Sequence, residues 1–544
     1  LRIQIICEIN QSLLGMRQKV IILQILFLFI SFIGLSQNQV RIINSDSLNG
    51  TPNMKNLVGH VLLQQGTTTL SCTKAVVNEL TNNVEAYGKV RIVQADTVVI
   101  TGDSATYNGD MRQAFVAGHV KLDDHTIILN TNKLDYDLNS KTAVYNTGAK
   151  IIDKKSTLTS KEGVYNTVTK NFLFKKNVRV VDKEGGGLKA DSLRYNTYSK
   201  EAYFICPTEI INKKDTVYTS AGFYNTQSKV SNFTGRSTAK TDEYILSADT
   251  LFFDSPTQIG VAKGRVEFLS QKDKVILTGD HGRYAGKTGI TRVFGHALMK
   301  NKMEKDTLYL TADTLVSINS KKDSIRKLYA YKNVQIYKSD LSGKCDSLGY
   351  DVKDSVIHFY QKPIIWTNDS QSQADSISLF LVNQKLREMD LRGHSFVISK
   401  DSLEQFNQIK GRKIWVIFQD DSKLKRVNVE GNGESIYFVV DDKKVTTGLN
   451  RVECSRMNMF FAENQVKKIV FITKPEAKFA PPNEWNEELQ VLDGFNWRIR
   501  EKINLSMILD KVKLELIKPS LETKKESKKE SKNTQKDNPK VKKP

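Results

Sequence analysis

Proline is scarce in this chain, ten residues in 544, and Thr, Val, Ile and Tyr, the residues of pleated strands, are abundant. Beyond residue 36 no apolar run approaches the 18 or so residues that a membrane-spanning helix needs. The signatures of common chemistries are missing as well. There is no Gly-rich phosphate loop, no Ser-centred elbow and no His-Glu helix motif of a zinc hydrolase. Carboxylates are plentiful but recur at equivalent positions, whereas a glycosidase needs one converging pair. Cysteine and histidine are few, five and seven residues, and neither is arranged as a local metal motif. No catalytic residue, metal or cofactor is assigned.

What is present is repetition. One phrase recurs: a small residue, Asp, Ser or Thr, an apolar residue, any residue, Tyr or Phe, then Asn or Asp. It reads Gly102-Asp103-Ser104-Ala105-Thr106-Tyr107-Asn108, and returns at Ala190–Asn196, Ala248–Asp254 and Cys345–Asp351. After a short polar link comes a second phrase with Gly-x-Val, as in Val116-Ala117-Gly118-His119-Val120-Lys121-Leu122 and Ala262-Lys263-Gly264-Arg265-Val266-Glu267-Phe268. Period-two alternation puts Val116, Gly118, Val120 and Leu122 on one face and His119 and Lys121 on the other. Links this short require antiparallel hairpins. Each unit of about 30 residues is therefore two strands with one wet and one apolar face, and a lone hairpin cannot bury the latter. At the small-residue–Asp step the alternation slips, as between Ala312 and Leu315, which predicts a corner. Glycines such as Gly88, Gly118 and Gly264 on the apolar face are expected either to leave interior room or to permit tight twist.

The repeat also explains the reactive residues. Cys72, Cys345 and Cys454 hold the slot before the Asp position, where Ala190, Ala248, Ala312 and Ala374 stand in other copies. His60, His119, His296 and His394 follow a Gly in a slot that takes Lys89, Arg236 or Arg265 elsewhere, so a metal role is not required. Interleaved Tyr and Lys are locked to this period, and together with an export signal they argue against nucleic acid.

Residues 1–36 read as a signal peptide, with Met16-Arg17-Gln18-Lys19 ahead of an apolar run and Gly34-Leu35-Ser36 as the cleavage site, and residues 1–15, ahead of a plausible start at Met16, read as an untranslated extension. Residues 37–360 form the clear repeat array, 361–480 divergent repeats with insertions, and 481–522 a cap with a short helix over 484–492 and a strand or plug over 494–498. Residues 523–544 carry nine Lys against Glu526, Glu530 and Asp537 and read as a disordered basic tail. The net charge of +21 favours anionic partners.

These phrases resemble the OstA-like family, the domain of the periplasmic lipopolysaccharide-transport proteins LptA, LptC and the N-terminal part of LptD. The resemblance implies an all-β, extended repeat β-jellyroll, a taco of antiparallel strands in two facing sheets whose apolar interior shields acyl chains. It implies lipopolysaccharide or a similar acylated lipid as ligand, edge-to-edge partners of the same fold, an LptD-like outer-membrane barrel beyond them, and a periplasmic place peripheral to a membrane. By position it makes Val90, Ile92, Val116, Val120, Leu122, Val178, Val180, Val266 and Phe268 the lipid-lining candidates. Two alternatives remain from the residues: a ligand-free structural or adhesive β-solenoid, and a carbohydrate-active parallel β-helix enzyme.

Overall fold

Each repeated phrase forms one long bent strand, and each Gly-x-Val phrase forms the next. The computed structural model describes residues 39–510, apart from 96, 153–155, 183–185, 213–214, 243, 272–273, 304–305, 321–324, 368, 384, 421–422, 442 and 463–464. The expected signal peptide and basic tail lie outside the described residues. Strand accounts for 73% and helix for 4%, so the fold is all-β. The described strand pairings are antiparallel, for example Gln113–Asp123 against Ile128–Asp137 and Ile259–Ser270 against Val275–Ala285. That overturns the parallel β-helix alternative.

The chain divides into two units, residues 1–235 and 236–544. In the first, the long strands Met54–Gln65, Thr68–Asn78, Asn83–Gln94, Val98–Asn108, Gln113–Asp123 and Ile128–Asp137 pair in chain order. Their links are built from the Asn or Asp that ends the phrase. Asn108 Oδ1 accepts the Met111 N–H at 2.7 Å, and Asp137 Oδ1 accepts those of Asn139 and Ser140. These are Asx turns, which is why Tyr is followed by Asn or Asp.

Every long strand bends midway, at the level of the expected corner. The Asp strand turns it in three residues, from inward Thr131 to inward Leu134, while the Gly strand takes four, from Val116 to Val120. The extra residue is a bulge on the Gly strand. Both bulge residues are left-handed, Gly118 at φ +77° and His119 at φ +45°, and the same pair recurs at Gly88-Lys89, Gly264-Arg265 and Gly295-His296. The Asp opposite ties the bulge: Asp103 lies 2.7 Å from His119 Nδ1, Asp249 2.7 Å from an Arg265 guanidinium nitrogen, and Asp280 2.7 Å from His296 Nδ1. The reading of these glycines as interior spacers is thereby corrected. A Cβ on Gly118 would meet the Asp103 carboxylate at 2.3 Å, and one on Gly264 the Asp249 carboxylate at 2.7 Å. They are glycines for backbone conformation and close approach, not for interior room.

The bend folds the two arms of each strand face to face. Val84 and Tyr107 pair at one end of their strands and Gln94 and Val98 at the other. Yet Tyr136, at the Tyr107 level, donates its hydroxyl to Gln94 Oε1 at 2.8 Å. Inner residues of both arms, such as Ile92, Ile100, Leu122 and Leu129 on one and Ala86, Ala105, Val116 and Leu134 on the other, form the core between them. Burying each large aliphatic side chain is worth about 1.5–3 kcal/mol.

The second unit repeats this plan from Tyr244–Asp254 to Thr446–Ala462, with strands lengthening to 17 residues. Its inner core includes Met299, Ile365, Leu391 and Met457. Its outer face is also apolar in places: Leu298 and Ile364, one residue from inner Met299 and Ile365, are buried with Trp366, Ile503 and Ile508. The cover is residues 481–510, which leave Glu476–Ala480 and cross the outer face as a strap. A single helical turn, Glu487–Gln490, stands where a helix over 484–492 was expected, and no strand forms over 494–498. Phe495 and Trp497 instead pack on Phe406, with ring centroids 5.5 and 5.3 Å away.

Candidate functional site

The repeat aligns its inward residues into a continuous apolar wall. All nine candidates lie on the inner face. Seven of them, Val90, Ile92, Val116, Val120, Leu122, Val178 and Val266, are no more than 2% exposed; opposing side chains already cover them. Val180 and Phe268 are only half-buried.

The same contrast runs along each unit. In the first, one inner row starts with Leu63, Ile92 and Leu122 fully covered, and reaches half-buried Val180, Ile210 and Val217. In the second, Leu246 and Phe268, paired with each other, are half-buried, and the row is covered from Leu277 through Met299 to Leu310. On the other arm of the second unit, Phe253 pairs with Gly260, which pairs with Tyr284. The two rings are 37% and 39% exposed. Gly260 has no left-handed φ, and a Cβ there would sit 3.5 Å from both Phe253 and Tyr284. Here a glycine does leave room between two rings. Phe253, Gly260, Tyr284 and Leu246 were missed by the sequence reading. A signal existed in the alternation of ring and small residue along this row, Tyr107 opposite Ala114 and Tyr136 opposite Ala143.

On the opposite face of these strands, Arg283 and Arg292 stand directly opposite each other, both exposed. Like charges so placed repel, and an anion at the surface would relieve them. Nothing here resembles an acid–base or nucleophilic constellation. Burial pushes the Cys345 thiol up to about 12 and raises those of Cys72 and Cys454, which is the reverse of thiolate activation. Among the described residues no three His, Cys, Asp or Glu side chains gather as a metal site, and no helix is long and apolar enough to cross a membrane.

Residues 37–186 and 183–249 match the family described as OstA-like protein. Across these segments the chain is OstA-like. Residues 280–385 of this OstA-like chain match a second family, LptA/(LptD N-terminal domain) LPS transport protein. Together the two matches cover 37–249 and 280–385, and Phe253, Gly260 and Phe268 fall between them. No curated protein matches significantly. Among solved structures, the chain is similar to LptH, the LptA-homologous periplasmic component of the lipopolysaccharide transport device from Pseudomonas aeruginosa. Identity is 15% over 21% of this chain and 79% of that one, with a TM-score of 0.19.

Proposed function

We propose that this OstA-like chain is a non-enzymatic periplasmic carrier or bridge for acylated lipid, acting in lipopolysaccharide transport and outer-membrane assembly. The observation that carries this is the partly uncovered apolar wall of Leu246, Phe253, Phe268 and Tyr284, with a gap at Gly260. An acyl chain laid there would leave water at about 25 cal/mol per Å². Jellyroll partners docked edge to edge, and an LptD-like barrel beyond them, complete the reading.

A photo-crosslinker at Phe268 in cells is expected to yield a lipopolysaccharide adduct, and one at exposed Arg265 is not. Equal labelling, or none at either in a folded protein, would remove the carrier reading. The ligand-free scaffold reading draws its support from the filled interior around Ile92 and Leu122, and mass spectrometry of a lipid-free mature protein would favour it.

A further inference from the structure

Three hydrogen-bonded closures recur along one edge of the first unit. Tyr107 donates to Gln65 Oε1, Tyr136 to Gln94 Oε1 at 2.8 Å, and Tyr165 to Asp124 Oδ2, over separations of 42, 42 and 41 residues. Each joins the far ends of the two facing arms, across the mouth of the jellyroll. The acceptors are doubly engaged. Gln65 Nε2 donates to the Gly109 carbonyl at 2.9 Å, Gln94 Nε2 to the Leu138 carbonyl at 3.1 Å, and Asp124 accepts Lys170 Nζ at 2.6 Å. The tyrosines are buried, 4%, 1% and 0% exposed. Behind the third closure, Tyr165, Phe172 and Phe174 stack at centroid distances of 3.9 and 4.6 Å and fill the space between the arms. In the second unit the first copy of this position is Phe253, which has no hydroxyl to donate, and its ring is exposed, as is that of the next copy, Tyr284.

We propose that these Tyr–Gln and Tyr–Asp pairs latch residues 57–178 shut, so that this stretch is a closed, non-carrying segment and acyl chains are admitted only beyond it. The proposal rests on the carrier reading for what is excluded, but the latch itself is a property of the apo chain. Each Tyr hydroxyl contributes one hydrogen bond, roughly fivefold in the opening equilibrium, so three give on the order of a hundredfold. Tyr→Phe at 107, 136 and 165 keeps every ring contact and removes only the latches.

The test uses the full mature chain with Cys72, Cys206, Cys345 and Cys454 replaced by Ala and a single Cys introduced by Leu122→Cys or Leu246→Cys. Maleimide alkylation is expected to be fast at position 246 and slow at 122. The triple Tyr→Phe variant is expected to accelerate 122 by one to two orders of magnitude and leave 246 unchanged. Equal rates at the two positions in the latched chain, or no acceleration at 122 in the triple variant, would overturn the latch. A photo-crosslinker at each position, read for lipid, separates the two proposals. Adducts at 122 equal to those at 246 sink the closed segment and keep the carrier. No adduct at 246, with alkylation behaving as expected, sinks the carrier and keeps the latch.

Discussion

Asp103 and His119 meet across the corner of adjacent strands, Oδ2 to Nδ1 at 2.7 Å, with Gly118 between them in the left-handed region. The Asp side chain packs where a Cβ of residue 118 would lie. Gly118→Ala therefore meets two penalties, a strained φ and a collision with the carboxylate, and is expected to cost about 1–3 kcal/mol. Removing the obstacle in Asp103→Ala/Gly118→Ala should recover the collision but not the strain. Chemical denaturation of Gly118→Ala, Asp103→Ala and the double variant measures both, and an additive double mutant would show that the contact is unimportant.

The corner slot itself predicts tolerance. Sγ of Cys72, Cys345 and Cys454 each lies 3.2 Å from the carbonyl oxygen two residues on, those of Lys74, Ser347 and Arg456. Thr219 Oγ1 makes the same contact at 2.9 Å to Ala221. Because a thiol is a weak donor and Ala already fills this slot at Ala248 and Ala312, Cys→Ala at all three should change stability by less than about 1 kcal/mol per site. Thiol titration of the native protein should show Cys206, which is half-buried, reacting first and Cys345 last.

The strap gives a third prediction. Gln408, fully buried, donates to the Gln490 carbonyl at 2.7 Å and accepts the Leu492 N–H at 2.8 Å. Gln371 does the same with the Asn496 carbonyl and the Arg498 N–H, both at 2.7 Å. Each amide reads the strap backbone in extended form, so Gln408→Ala should cost about 1–3 kcal/mol of strap docking. It should appear first as faster hydrogen exchange at Leu492. Farther along, hydrogen bonds from Arg498 and Lys344 hold Glu501 down at about 2, from an ordinary value of 4.5. A depressed carboxyl contributes its stability fully above 4.5 and loses it as pH falls toward 2. Strap protection should thus fade within that window, and Glu501→Gln should remove the dependence.

The repeated phrase was legible because each of its residues has a separate mechanical duty. The small residue makes the corner, Asp ties the bulge, the apolar residue faces inward, and Asn closes the turn. Period and alternation therefore yielded the antiparallel pairing and the inner face, on which the nine candidates lie. They could not say which inward residues keep a free face. That depends on whether arms some 42 residues apart in sequence close on one another, which Tyr107 and Gln65 decide and Phe253 does not. The glycines misled for a related reason. Parity counts Gly118 as inward, but two left-handed residues at the bulge remove it from the alternation. A cap from residue 481 onward was read from the sequence but the face it covers was not, because Ile364, Ile365 and Trp366 are apolar on both faces and sequence alone does not name the second cover.

The third latch differs from the other two in carrying charge, and that makes it testable by pH. Asp124 has a fully buried side chain. Burial pushes its carboxyl up, but hydrogen bonds from Lys170, Thr126, Tyr165 and the Ile127 N–H together outweigh this and hold it below the usual range. Since its folded value is depressed, the latch contributes stability above the unfolded Asp value of 3.8 and loses it as pH falls through the lower folded value. Gln65 and Gln94 in the first two latches do not titrate. Asp124→Asn should therefore flatten part of the acid limb of the stability curve while leaving the Tyr165 ring in place. It should also cost about 1–3 kcal/mol at neutral pH, because Lys170 loses its buried counter-charge. Lys170→Met in the Asp124→Asn background should recover part of that loss, since a half-buried cation would no longer face an amide. Denaturation midpoints of the wild type, single and double variants between pH 3 and 7 measure this. An unchanged acid limb in Asp124→Asn would mean that the carboxylate holds nothing shut.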